Sequence, residues 1–198
     1  MVNMEKQSWG TWEAVGDTSA YVKDIRNTCV EQLSIISGSV GADYHVYVCT
    51  NVAKAFVPRF VTTIAKCKRI NDSGAQQLLL DSQDIEVIMC GLPRIGSQDD
   101  SETTKVPKNY VKAIKRDIGK AVMVLKTISS PLSATSETFL SLFKNGNVND
   151  LARILDIKGI KKFDQQHILD AYNKKVPMTE QAPALFGSED LLKKFIFF

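Results

Sequence analysis

The sequence is poor in catalytic and targeting signatures. It has no glycine-rich phosphate loop, no HExxH and no GxSxG, and its two histidines, His45 and His167, stand far apart. Acid/base catalysis by histidine is therefore not expected. The four cysteines, Cys29, Cys49, Cys67 and Cys90, form no CxxC pair, and His45 is the one histidine near them. Neither a zinc site nor a thioredoxin-type motif fits that spacing. They read as apolar core thiols of a reducing compartment, and no metal or cofactor is expected. The first twenty residues mix Glu5, Lys6, Trp9, Trp12 and Glu13, which is not the order of a signal or transit peptide. No uncharged apolar run approaches the ~20 residues that span a bilayer. The expected location is cytosolic.

What the chain does have is an ordinary globular composition: 198 residues, 44% hydrophobic and 24% charged. Such a chain buries roughly two-thirds of its unfolded surface and needs no metal or disulfide to fold. The net charge of +3 conceals an asymmetry. Residues 1–100 carry nine Lys and Arg against twelve Asp and Glu, and residues 101–198 carry sixteen against ten. A basic second half favours phosphates, anionic lipid or an acidic protein partner, because summed surface charge steers encounter.

Apolar residues recur at helical spacing nearly throughout. Val22, Ile25, Cys29, Leu33 and Ile36 form one face, with cap oxygens at Asp17, Thr18 and Ser19 and stops at Gly38 and Gly41. A second face runs through Val46, Cys49, Val52, Phe56, Phe60, Ile64 and Cys67, with Pro58 inside it. Asp72 and Ser73 are expected to cap a third helix whose core positions are Leu78, Leu79, Ile85, Ile88 and Met89. The segment Ser97–Thr104 has no apolar residue and reads as an exposed connector. Beyond it, Tyr110, Ile114, Ile118, Ala121, Leu125 and Ile128 fall in one wedge of a helix whose other side is basic. Shorter helices follow: Leu132–Phe143, Asn149–Leu155 ending at Lys158-Gly159, Asp164–Tyr172, and a capped Ser188–Phe198 after a loop. No β-hairpin signal is present. The expected fold is all-α, with a first helical bundle at 1–96, an acidic and polar connector at 97–105, and a second, basic bundle at 106–198.

Two features could carry binding. Lys108, Lys112, Lys115, Arg116 and Lys120 form a cationic helix face, which serves phosphate or anionic lipid, or is simply solvated. The turn around Asp156, Lys158, Lys161 and Lys162 sets charges beside Ile157, Ile160 and Phe163, as protein-binding edges do. It reads equally as a helix C-cap with Gly159 in the left-handed conformation. Asp81, Asp84 and Glu86 are expected on a solvated helix face, and Trp9 and Trp12 as a lid on the first bundle. Nucleic acid is not expected, because no aromatics interleave the basic face.

Several colinear motifs carry a resemblance. Cys67-Lys68-Arg69-Ile70, Gly74-Ala75-Gln76-Gln77-Leu78-Leu79-Leu80-Asp81 and Gly91-Leu92-Pro93-Arg94-Ile95-Gly96-Ser97 come first. Lys105-Val106-Pro107-Lys108-Asn109-Tyr110, Met123-Val124-Leu125-Lys126, Arg153 through Ile160, and Gln165-Gln166 follow in order. Across about residues 50–175 the chain resembles the C-terminal region of the vacuolar protein sorting 53 family, a subunit of the Golgi-associated retrograde protein (GARP) tethering complex. The resemblance implies a non-enzymatic part of a multisubunit tether, built as two helical bundles in tandem along an elongated rod, that acts in retrograde transport from endosomes to the trans-Golgi network. It also implies a protein peripheral on those membranes, with subunits of the vacuolar protein sorting 51, 52 and 54 types as partners. SNAREs, small GTPases and anionic Golgi or endosomal membrane are further candidates, and no small-molecule substrate is implied. Family members are several times longer and begin with coiled coils, so the chain reads as a C-terminal fragment. The alternative reading, from the residues alone, is an anion-binding helical module for phosphoinositide or nucleic acid that uses the basic helix 108–126.

Overall fold

The computed structural model describes residues 2–96 and 106–186. Among them are eight α-helices and no strand, so the fold is all-α as expected. The helices are α1 (Val2–Glu5), α2 (Ala20–Ser37), α3 (Ala42–Lys66), α4 (Asp72–Gly91), α5 (Lys108–Ser129), α6 (Thr135–Leu142), α7 (Val148–Ile157) and α8 (Lys162–Lys175). The expected connector at 97–105 and the expected helix Ser188–Phe198 lie outside the described residues.

The amphipathic pattern of α5 determines its burial. Tyr110, Ile114, Ile118, Ala121, Leu125 and Ile128 are all buried, against α4 and α3. The Tyr110 hydroxyl donates to the Met89 carbonyl near the end of α4. Burying five large side chains of this kind is worth roughly 10 kcal/mol, comparable to the whole net stability of a domain. Apolar residues from Met4 to Val176 form one continuous core, with side chains from before and after residues 97–105 in contact. The two helices that flank that segment in sequence, α4 and α5, are each other's principal neighbours.

Local chemistry departs from expectation at three places. The cap of α4 is Asn71, whose side-chain oxygen accepts from Gly74 N at 2.7 Å, and not Asp72 or Ser73. Val52, assigned to the core stripe of α3, is exposed, because the buried face rotates toward Ala53 and Val57 where α5 lies. Asp81, expected in solvent, is fully buried. Its Oδ1 accepts from Ser19 N at 3.0 Å and from Gln77 Nε2 at 3.2 Å. Gln77 also takes Gly16 N and donates to the Asp17 carbonyl, both at 2.9 Å, and Thr18 donates to Asp84. A polar strap from residues 16–19 thus crosses α4, and its Ser19 N–H, together with Gln77 of α4 itself, reaches Asp81 Oδ1. Burial, with Asp81 beside it, holds the Tyr21 phenol far above its usual range.

Trp9 is buried and stacks on Trp12 with ring centroids 4.9 Å apart, which agrees with the expected lid. The lid sits on the amino end of α4, where the Trp9 carbonyl accepts from Asn71 N at 3.1 Å and the Trp12 carbonyl from Asn71 Nδ2 at 2.9 Å. All four cysteines are free, Cys49 and Cys67 buried and the other two half-buried.

Candidate interaction surfaces

The basic side of α5 is less cationic than its sequence. Arg116 grips the adjacent Asp117 through Nε and Nη2, each at 3.0 Å, and Lys120 reaches the same carboxylate at 3.1 Å. Lys115 lies 3.9 Å from Glu86 on α4. Burial alone pushes the Asp117 carboxyl up, but hydrogen bonds from Arg116 and Lys120 outweigh it and hold the group below its ordinary value. Lys108 and Lys112 are exposed. Three of the five predicted cations therefore have a carboxylate neighbour, which reduces the field the face projects.

The turn after α7 is a Schellman motif. Ile160 N donates to Leu155 O at 3.1 Å and Gly159 N to Asp156 O at 2.9 Å, with Gly159 at φ +76°. Two of its charged residues, Lys158 and Asp156, hold neighbouring helices together. Lys158 is half-buried, and its ammonium donates to the carbonyls of Ile128 and, at 2.7 Å, Ser130, the unpaired carboxyl end of α5. Asp156 accepts from Lys162 at 2.6 Å and from Gln165 at 2.8 Å, which staples α7 to the start of α8. Lys161 is exposed at the N-cap position of α8, and Phe163 beside it is 78% exposed.

Arg153, which sequence reasoning did not single out as a site residue, does for α3 what Lys158 does for α5. Its guanidinium donates to the Ala65 carbonyl, from Nε at 2.8 Å and also from Nη2. The carboxyl ends of α3 and α5 thus both meet α7, so these two helices run in the same direction. Lys112 and Ile128 are sixteen residues apart on α5, about 24 Å along the axis. The basic face and the 156–162 turn are separate surfaces at opposite ends of one helix.

Between α3 and α5 runs a groove of about 720 Å³ whose wall includes Lys54, Ala55, Pro58, Asn109, Ala113 and Arg116. The sequence pattern could not reveal it, because a groove depends on which two helices lie side by side. Elsewhere the reactive groups are quiet. Burial pushes the Cys49 and Cys67 thiols up to about 11, away from the thiolate form. Burial also raises the Asp150 carboxyl, against the pull of the Leu185 and Phe186 amides that donate to it at 2.7 and 3.0 Å. Among the described residues no cluster of His, Cys, Asp and Glu is arranged to hold a metal ion, and no helix is long and apolar enough to cross a membrane.

The fold and these surfaces define an all-helical protein region whose distinctive side chains form caps, ionic staples and a groove. The sequence model of the family described as "Vacuolar protein sorting-associated protein 53 C-terminus" matches residues 76–160. The chain is 35% identical over 185 residues to "Vacuolar protein sorting-associated protein 53 A" of Arabidopsis thaliana, covering 93% of this chain and 22% of that protein. It is 25% identical over 186 residues to the Caenorhabditis elegans homolog of the same name, covering 91% of this chain and 23% of that protein. The chain is similar to the C-terminal region of the vacuolar protein sorting-associated protein 53 family. It spans about a fifth of the length of these relatives. No solved structure matches it.

Proposed function

We propose that this chain is the non-enzymatic C-terminal part of a vesicle-tethering subunit that acts in retrograde transport from endosomes to the trans-Golgi network. The observation that carries the reading is the similarity to the vacuolar protein sorting-associated protein 53 family across 93% of the chain. In this reading the protein works with subunits of the vacuolar protein sorting 51, 52 and 54 types in the Golgi-associated retrograde protein complex, and is peripheral on trans-Golgi and endosomal membranes. The exposed side of α5, with Lys108, Lys112, Lys115 and Arg116, offers a surface to a protein partner or to membrane. Lys161 and Lys162 at the start of α8 offer a second, smaller one. SNAREs and small GTPases are the partner classes that a tether engages.

The test is co-purification and imaging of the full-length tagged protein. Wild type is expected to bring down the other tether subunits and to reach the trans-Golgi network. Reversing the charge of Lys112, Lys115 and Arg116 should weaken recruitment while leaving the helical fold intact, because all three are exposed. Normal recruitment of the folded triple variant removes α5 from the surface, and failure to co-purify with any tether subunit removes the reading itself.

A further inference from the structure

The groove between α3 and α5 has properties of its own. Residues 50–58 of α3 and 107–117 of α5 form its walls, a run of about 12 to 15 Å, or two to three helical turns. Three alanines, Ala53, Ala55 and Ala113, stand in its lining where larger side chains would fill the space. Small residues on two side-by-side helices let a third helix approach to the 8–10 Å that helix packing requires. Ala55 is exposed and Ala113 half-buried, so the lining is open to an incoming side chain.

Pro58 lies inside α3 and has no N–H, so it cannot donate to the Lys54 carbonyl four residues earlier. Both Lys54 and Pro58 line the groove.

The charge around it is uneven. Lys54 on α3 and Arg116 on α5 flank the groove, and Lys120 stands one turn beyond Arg116. The carboxylate that faces them from within, Asp117, is already held by Arg116 at 3.0 Å and Lys120 at 3.1 Å. Three cations against one carboxylate leave the edges positive, while Asp117 sits in the concavity itself. A flat anionic membrane would press lipid phosphates onto that carboxylate. A narrow helix with acids on its flanks and small apolar residues on its inner face would meet the cations and leave Asp117 paired.

We infer that the α3–α5 groove docks an acidic amphipathic helix of a protein partner, its apolar stripe on Ala55, Ala113 and Pro58 and its flanking carboxylates on Lys54, Arg116 and Lys120. This rests on the tethering reading only for the identity of the complex that supplies the helix. The mode is that of a helix laid in a groove and read by residues three and four apart. Electrostatic complementarity sets the polarity of the partner, since a basic helix would bring like charges together at both edges.

The test uses the full 198-residue chain and defined probes. One is a labelled 15-residue helical peptide with an alanine and leucine face and glutamate flanks, and the second has lysine in place of every glutamate. The third is a phosphatidylcholine vesicle doped with phosphatidylserine. Wild type should prefer the glutamate peptide over the lysine peptide by tenfold or more. Ala55→Trp, which fills the groove, should weaken the glutamate peptide at least tenfold with an unchanged circular dichroism spectrum. Lys54→Glu with Arg116→Glu changes exposed residues, so it keeps a folded second variant available, and it should reverse the peptide preference.

Equal binding of both peptides, no binding of either, or vesicle binding without peptide binding overturns the proposal. So does an Ala55→Trp chain that binds the glutamate peptide as wild type does. Co-purification of tether subunits is read in parallel on the wild-type chain. Its retention with a failed peptide experiment sinks the groove alone, and its loss with a successful one sinks the tethering reading alone.

Discussion

Arg153 and Lys158 sit five residues apart at α7, and each satisfies the carboxyl end of a different helix. A cation there meets unpaired carbonyls and the negative end of the helix dipole together. Lys158 was legible as charged and as part of a C-cap. Its ammonium was not, because four rotatable bonds let it reach past its own helix to Ser130. Burial also lowers the Lys158 ammonium from its usual range, as a half-buried charge should be. Lys158→Met keeps the aliphatic stem and orphans two carbonyls, so urea denaturation should show a loss of about 2 kcal/mol. A loss near zero would mean that water replaces the ammonium.

Asp117 gives a pH-dependent counterpart. Its folded value lies below the unfolded one, so its stabilisation is present above the ordinary carboxylate range and disappears as pH falls through the lower folded value. Because Arg116 is exposed, the contribution at neutral pH is under about 1 kcal/mol. The stability difference between wild type and Asp117→Asn should be measurable at pH 7 and vanish toward pH 2. A difference that grows on acidification would contradict the assignment.

At the scale of the element, the helices were readable because periodicity is local. All six wedge residues predicted for α5 are buried, and the Gly159 stop is a Schellman turn with φ +76°. The misreading of Asp81 has a cause outside its own helix. Asp81 on α4 lies buried with its Oδ1 accepting from Ser19 and Gln77, and the donor at Ser19 is a main-chain N–H that has no signature in side-chain pattern. The tryptophan lid depends on Gly74. A Cβ there would stand 2.5 Å from the Trp9 carbonyl oxygen. Gly74→Ala should therefore cost about 1–3 kcal/mol by overpacking. It should also free Trp9, visible as a red shift of tryptophan emission before global unfolding, and an unshifted spectrum would show that the lid adapts.

For the whole molecule, the core that joins α4 and α5 makes the two sides of residues 97–105 depend on each other. Calorimetry of the full chain should give one transition with equal calorimetric and van't Hoff enthalpies. A chain cut near Ser97 exposes the faces of α3 and α4 that α5 covers, including Met89 and Ile85, and should bind a hydrophobic dye without cooperative melting. Two resolved transitions, or a fragment that melts cooperatively, would instead support independent bundles at 1–96 and 106–198.

By itself the sequence determined that the chain is helical, roughly where the longer helices lie, most of the apolar stripe of α5, and the motif order that ties the chain to its family. These are properties of neighbours three and four residues apart, which the backbone geometry of a helix converts directly into faces. The tertiary structure alone decided what each face meets. It set α5 beside α3, opened the groove between them, sent Lys158 and Arg153 to the ends of other helices, and turned Asp81 inward. Those outcomes depend on contacts between residues about 30 to 90 positions apart, where the pairing is chosen by which orphaned carbonyls, donors and apolar surfaces come within reach once the helices have packed.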